Sequence, residues 1–186
     1  MEVRLPSEPL ADGVVRLRPW RPDDGPAIVA AFADAESAYW LHQAPQPYRD
    51  QDALAYVRTT EAAWRSGAGG AFAVVDAATD EVAGSIGLSV VDAELAIVEV
   101  GYWAAPTARG RGMTTRAVRL LSRWLLHTAG AARIQIRADV LNTASVRVAE
   151  KAGFVREGIL RSSGYNGRAG RRIDYVVYSL LPGEES

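Results

Sequence analysis

The chain of 186 residues contains no cysteine. That excludes thiolate nucleophiles, cysteine-held zinc and dithiol redox chemistry. A chain this long buries roughly 70% of its unfolded surface and needs no disulfide staples. Histidine is almost as scarce. His42 and His127 lie far apart, and no carboxylates with ligand spacing accompany them, so no metal centre is expected. No apolar run approaches the ~20 residues of a membrane helix, and Met1 to Pro6 lacks the apolar core of a signal peptide. The expectation is a cytoplasmic protein with no membrane partner. A formal net charge of −1 argues against nucleic acid as a general partner. Lysine occurs once, at Lys151.

The informative residues lie between Val98 and Val118. A strand-like run, Val98-Glu99-Val100-Gly101-Tyr102-Trp103, meets the short loop Ala104 to Ala108. Arg109-Gly110-Arg111-Gly112-Met113-Thr114 then opens into a helix-patterned segment. Strand, glycine-bearing turn and helix start together present free backbone N–H groups, the arrangement that receives phosphate. Gly110 and Gly112 lack a Cβ, so a ligand can approach the main chain closely. From Arg109 to Ala138 every charged residue is arginine, at 109, 111, 116, 119, 123, 133 and 137. Arg116, Arg119 and Arg123 suit a solvated helix face, whereas Arg109 and Arg111 flank the turn and add a local positive field. The expected occupant is anionic.

The flanking elements follow from periodicity and turn chemistry. Val14 to Arg18 alternates as a first strand ended by Pro19. Asp23-Asp24-Gly25-Pro26 starts a helix over Ala27 to Ala35, and a second covers Asp50 to Arg65. Ser66 to Gly70 reads as a plain loop. Strands at Phe72–Val75, Val82–Val91 and Leu95–Trp103 have connections too short for parallel crossovers and predict an antiparallel meander. The helix after the glycine turn presents Val118, Leu121 and Leu125 on one side and ends near Gly130. Arg133–Val140 is then a strand and Asn142–Lys151 a helix. Ile159–Ser163 and Asp174–Leu181 form a hairpin whose turn contains Asn166-Gly167. With no repeat or linker, residues 1–186 read as one α+β domain with a core of about 14–181.

Three nucleotide or hydrolase motifs fail. The third glycine of a dinucleotide fingerprint is Thr115, no Gly-Lys-Ser/Thr occurs, and there is no Gly-x-Ser-x-Gly elbow. Arg109-Gly110-Arg111-Gly112-Met113-Thr114 instead resembles the Gln/Arg-x-x-Gly-x-Gly/Ala acetyl-CoA signature of the GNAT N-acetyltransferase superfamily. Asn142, Ser145, Glu150-Lys151, Gly153 and Phe154 resemble the ribosomal-protein-alanine acetyltransferase (RimJ/RimL-like) branch. The resemblance spans Val15 to Leu181. It implies a mixed, mostly antiparallel sheet of about seven strands flanked by helices, with a bulge or splay at the acetyl-CoA site. Thr114 departs from the final Gly/Ala of the signature, and Ala149 stands where many members carry a tyrosine general acid.

From this resemblance acetyl-CoA is the expected acyl donor, with its pantetheine against Tyr102, Trp103 and Ala104. Its pyrophosphate then lies on the amides of the stretch Arg109, Gly110, Arg111, Gly112, Met113 and Thr114. Asn142 either bonds the pantetheine or caps the following helix. Glu99, an ionisable residue in an apolar strand, is the candidate general base, or else a carboxylate paired with arginine. Ser145 is the candidate donor to the departing sulfur, or an ordinary first-turn residue. A backbone N–H around Trp103 is the expected holder of the developing oxyanion. An α-amine with pKa ~7.8 is roughly 15% neutral at pH 7 and a lysine amine about once in 2,500, so a base matters far more for the second.

The acceptor side is expected between the N-terminal helices and the final hairpin, with Trp40, His42 and Tyr165 as candidate substrate contacts. The acceptor is a protein N-terminus or an amine-bearing small molecule. A non-catalytic acetyl-CoA sensor is the alternative, and the oligomeric state, monomer or homodimer, stays open.

Overall fold

Val15 and Leu17 point one way and Arg16 and Arg18 the other, and this period-two alternation begins a sheet that carries the whole molecule. The computed structural model describes residues 1–185, with the side chains of residues 89–91 outside that description. The strands are β1 (Leu10–Ala11), β2 (Val15–Pro19), β3 (Ala71–Asp76), β4 (Val82–Asp92), β5 (Ile97–Ala104), β6 (Arg133–Asp139), β7 (Val155–Asn166) and β8 (Arg171–Leu180). They form one eight-stranded sheet in the order β1-β2-β3-β4-β5-β6-β8-β7. The strand beyond the expected seven is the two-residue β1, which pairs Leu10 with Leu17. Short connections make β3 to β5 an antiparallel meander, as the sequence requires, and β2 pairs antiparallel with β3 although the three N-terminal helices lie between them in the chain. The one parallel pair, β5 with β6, is bridged by helix α4 (Met113–His127).

The helices cover both faces. On one, α4 buries Ala117, Val118, Leu121 and Leu125 completely against Val98, Val100, Ile134 and Ile136 of the central strands, joined by α5 (Thr143–Lys151). On the other, α1 (Gly25–Ala33) and α3 (Asp50–Ser66) pack Ile28, Phe32, Ala53 and Val57 on Ala73 and Val75. The helix expected over Ala27 to Ala35 is α1, which stops at Ala33, and a further short helix that the sequence reading did not place follows it. Asp34 is extended (φ −68, ψ 132) and its side chain accepts the Ser37 N–H at 2.9 Å, which stops α1 and starts α2 (Ala35–Trp40).

Two departures from regularity shape the functional end. β5 and β6 pair only from Ile97–Arg133 to Glu99–Gln135, after which the two strands part. A register shift between Leu88 and Val90 accommodates the bend on the β4 side. The strands of the hairpin are longer than expected, and its turn lies at Asn166-Gly167 as read, running on to Gly170. The Asn166 Oδ1 accepts the N–H groups of Arg168 and Ala169, each at 3.0 Å, which fixes a wider turn.

Candidate active site

The chain leaves β5 through a short 3-10 turn, Pro106–Ala108, and then places Gly110 (φ +74) and Gly112 (φ +76) in the left-handed region. A Cβ on either glycine would meet nothing within 4 Å, so only backbone conformation demands glycine there, and the space beside them is open. No side chain caps α4. Its first helical bond runs from the Arg116 N–H to the Gly112 carbonyl at 3.1 Å, so the amides of Met113, Thr114 and Thr115 lie ahead of the ladder. Those donors and the helix dipole suit an anion.

The arginines around this turn are not loose counter-charges. Arg109 binds Asp34, the Ser37 Oγ at 2.8 Å and Glu36 at 3.0 Å, and it holds the Asp34 carboxyl down to about 2. Arg111 pairs with Asp76 at 3.2 Å and Arg116 with Asp12 at 2.8 Å. Arg119 donates to the Lys151 carbonyl. The positive field expected from sequence is therefore largely compensated inside the chain, and Arg109 links the turn to α2. These partners lie 32 to 104 residues away, beyond the reach of local pattern.

A cleft of about 790 Å³ opens where β5 and β6 part. Tyr102, Trp103 and Ala104 from β5, the stretch Arg109 to Thr114, and Asn142 and Ser145 all line it. A second cleft, of about 610 Å³, lies beneath α2 and shares Trp40, Leu41, Tyr102, Asn142 and Ser145 with the first. The two spaces therefore meet at a tyrosine, an asparagine and a serine. Asn142 caps α5, its Oδ1 accepting the Ser145 N–H at 3.0 Å, while its Nδ2 is the end left for a ligand. The Tyr102 hydroxyl lies 3.0 Å from the Ser145 Oγ and donates to the Ser145 carbonyl at 3.1 Å. Burial pushes the Tyr102 phenol up to about 12, so it stays a neutral donor. Ala149 is fully buried in α5 and offers no proton.

Glu99 is only 8% exposed and lines neither cleft. Its Oε2 accepts from Arg137 Nε at 2.6 Å and Gln135 Nε2 at 2.8 Å, and its Oε1 from Arg137 Nη2 at 2.8 Å. That is the paired-carboxylate arrangement, not an open base. Donating to the Glu99 carboxylate raises the Arg137 pKa. Arg137 itself reaches the second cleft, over the ring of Tyr175 at 5.7 Å. It escaped the sequence reading, although the alternation Arg133-Ile134-Gln135-Ile136-Arg137 puts the polar residues of β6 on one face.

Of the expected acceptor contacts, Trp40 and His42 line the second cleft. Tyr165 does not. It is 55% exposed on β7, opposite Arg172, because the lengthened hairpin carries it to the sheet edge. The hairpin still closes the cleft. Asn166 Nδ2 donates to the Tyr39 carbonyl at 3.1 Å, and Arg168 donates to the carbonyls of Ala38 and Ala44.

A family model of the acetyltransferase (GNAT) domain matches residues 15–155. The chain belongs to the GNAT acetyltransferase family. It is 32% identical over 113 residues to the uncharacterized N-acetyltransferase p20 of Bacillus licheniformis, covering 61% of this chain and 62% of that one. It is 29% identical over 84 residues to the ribosomal-protein-serine acetyltransferase of Escherichia coli K12, covering 45% and 47%. In these alignments the chain spans less than two thirds of either relative's length. The fold matches that of RimL, a ribosomal L7/L12 alpha-N-protein acetyltransferase in complex with coenzyme A. That match has a TM-score of 0.81 at 19% identity, over 94% of this chain and 98% of the other.

The GNAT family implies acetyl-CoA, and the first cleft fits it. The glycine turn leaves room at the uncapped start of α4 for a diphosphate, and the cleft continues past Tyr102 to the junction. Among the described residues, no group of three or more His, Asp or Glu converges as a metal site would require. No described helix is long and apolar enough to cross a membrane.

Proposed function

We propose that this chain is an acetyl-CoA-dependent N-acetyltransferase that acts on a primary amine by direct attack in a ternary complex, with residues 14–181 as the catalytic core. The observation that carries this reading is the meeting of two clefts at Tyr102, Asn142 and Ser145. One cleft has phosphate-binding chemistry at its far end, and the other has a separate mouth under α2. Two reactants, one in each cleft, would meet at these three side chains. The amides at the start of α4 hold the diphosphate, and Asn142 and the end of β5 hold the pantetheine arm. Acetyl-CoA, when bound, supplies the activated acyl group as a thioester.

A neutral acceptor amine in the second cleft would attack the acyl carbon, the C–N bond forming as the C–S bond breaks with its electron pair leaving on sulfur, and the proton shed by the nitrogen would pass to that thiolate or to solvent. Ser145 stands where it can donate a hydrogen bond to that sulfur, with Tyr102 fixing its hydroxyl. A thiolate of pKa near ~8.5 departs with little help, so this contribution is modest. Glu99 enters as the anchor of Arg137. The names of the relatives favour a protein N-terminal α-amine, with a small-molecule amine as the other source. A non-catalytic sensor has no support among them.

The test is coenzyme A release with a panel of amines, product mass, and calorimetry of acetyl-CoA. Binding together with an acetylated amine supports the reading. Binding with no acetylated amine, or with hydrolysis alone, defeats it.

A further inference from the structure

Six aromatic residues wall the second cleft: Phe32, Trp40, Tyr48, Tyr56, Tyr102 and Tyr175. Phe32 and Tyr48 stack at 4.3 Å, and Phe32 also meets Trp103 edge-on at 5.6 Å, so this wall is braced from behind. The charged residues of the lining are committed elsewhere. Arg137 is held by both oxygens of Glu99, and Asp139 is held by Arg171 and also accepts the Leu141 N–H at 3.0 Å. Burial raises the phenols of Tyr48 and Tyr56, the first to about 12, so neither adds a negative charge at neutral pH. The cleft thus offers π-faces and apolar edges, its arginine and aspartate each ion-paired, with no uncommitted lining carboxylate among the described residues.

Resting on the transferase reading, we infer that the acceptor is a monocationic α-amine borne on an aromatic residue. Two features of the cleft lead there. Ring faces attract a single ammonium and stack with a planar group. A polycation such as a polyamine or an aminoglycoside needs several negative partners, and this lining supplies none uncompensated. The lack of an open carboxylate base points the same way. An α-amine of pKa ~7.8 is substantially neutral unaided, whereas a lysine-like amine of pKa ~10.4 is not. The size, about 610 Å³, admits an aromatic residue with its amine and the next peptide unit.

The test compares phenylalaninamide, a tripeptide led by phenylalanine, glycinamide and spermidine as acceptors for the full chain with acetyl-CoA. kcat/KM for the phenylalanine compounds is expected to exceed that for glycinamide by about 30-fold, the gain from burying one large apolar side chain. Spermidine should be the poorest. Acetylation of the tripeptide alone assigns the acceptor to a protein N-terminus, and of the amide alone to a small aminoacyl compound. Tyr175→Leu and Trp40→Leu, each checked for retained acetyl-CoA binding, should cut the preference to below about threefold. Equal or faster acetylation of glycinamide or spermidine overturns the inference and leaves the transferase standing. So does a preference that survives both variants. If acetyl-CoA binds and no amine of any kind is acetylated, the transferase reading fails and takes this one with it.

Discussion

Glu99 and Arg137 meet across the parallel junction of β5 and β6, joined by hydrogen bonds of 2.6 and 2.8 Å. The carboxylate is spent on its partner, and the guanidinium carries the consequence into the acceptor cleft. Glu99→Gln should therefore lower kcat/KM by about tenfold, the value of one charged hydrogen bond, and leave the acid limb of the pH–rate profile in place. The double variant Glu99→Gln/Arg137→Gln should be little worse than either single one, since both act through one pair. A general base would instead cost 10²-fold or more and remove that limb. Steady-state kinetics from pH 5.5 to about 9 separates the two.

Tyr102 offers its proton to either the carbonyl or the hydroxyl of Ser145. When it donates to the hydroxyl, Ser145 is free to donate onward. Tyr102→Phe and Ser145→Ala should each lower kcat by about tenfold with the KM for acetyl-CoA nearly unchanged. An oxygen ester analogue, whose leaving group is far more basic, should suffer more from either change. Equal losses on both donors would make the pair a packing contact only.

Gly112 separates backbone need from ligand need. Gly112→Ala places a Cβ residue at φ +76 and should cost about 1–2 kcal/mol, or roughly 2–8 °C of Tm. Asparagine tolerates this conformation, so Gly112→Asn should recover much of the stability. Its side chain still enters the open space beside the turn, and acetyl-CoA affinity by calorimetry should remain weak. Wild-type affinity in both variants would move the diphosphate away from this turn.

The Arg109–Asp34 contact gives a pH signature. Arg109 lowers the folded pKa of Asp34 to about 2, and Arg133 does the same to Glu157. A depressed carboxylate adds stability above its unfolded value and loses it as pH falls toward the folded one. Denaturation midpoints should hold steady from pH 7 to about 5 and fall between about 4.5 and 2. Asp34→Asn should flatten that slope and also loosen α2, measurable as faster amide exchange over Ala35–Trp40.

What the sequence disclosed was local. The glycine turn, the apolar stripe of α4 and the Asn142 cap are written in neighbouring residues, and the structure has them in those places. What escaped joins distant segments. Glu99 meets Arg137 only because β5 and β6 lie parallel in one register, which no window along the chain reports. Asp34 did carry a signal, a cap residue just ahead of Ala35-Glu36-Ser37, and it would have placed the short helix that follows α1. Asn166-Gly167 marks the turn as read, while the bonds by which the Asn166 side chain widens it are not reported by the dipeptide.

After Glu99 and Gln135 the pairing of β5 with β6 stops, and among the described residues no other strand pairs with that edge of β5. Whatever threads that gap finishes the architecture as well as reacting in it. Melting should accordingly track the donor: at a hundredfold its Kd the folded state gains about 2.7 kcal/mol. Heat tolerance becomes a gauge of how much acetylating fuel surrounds the molecule.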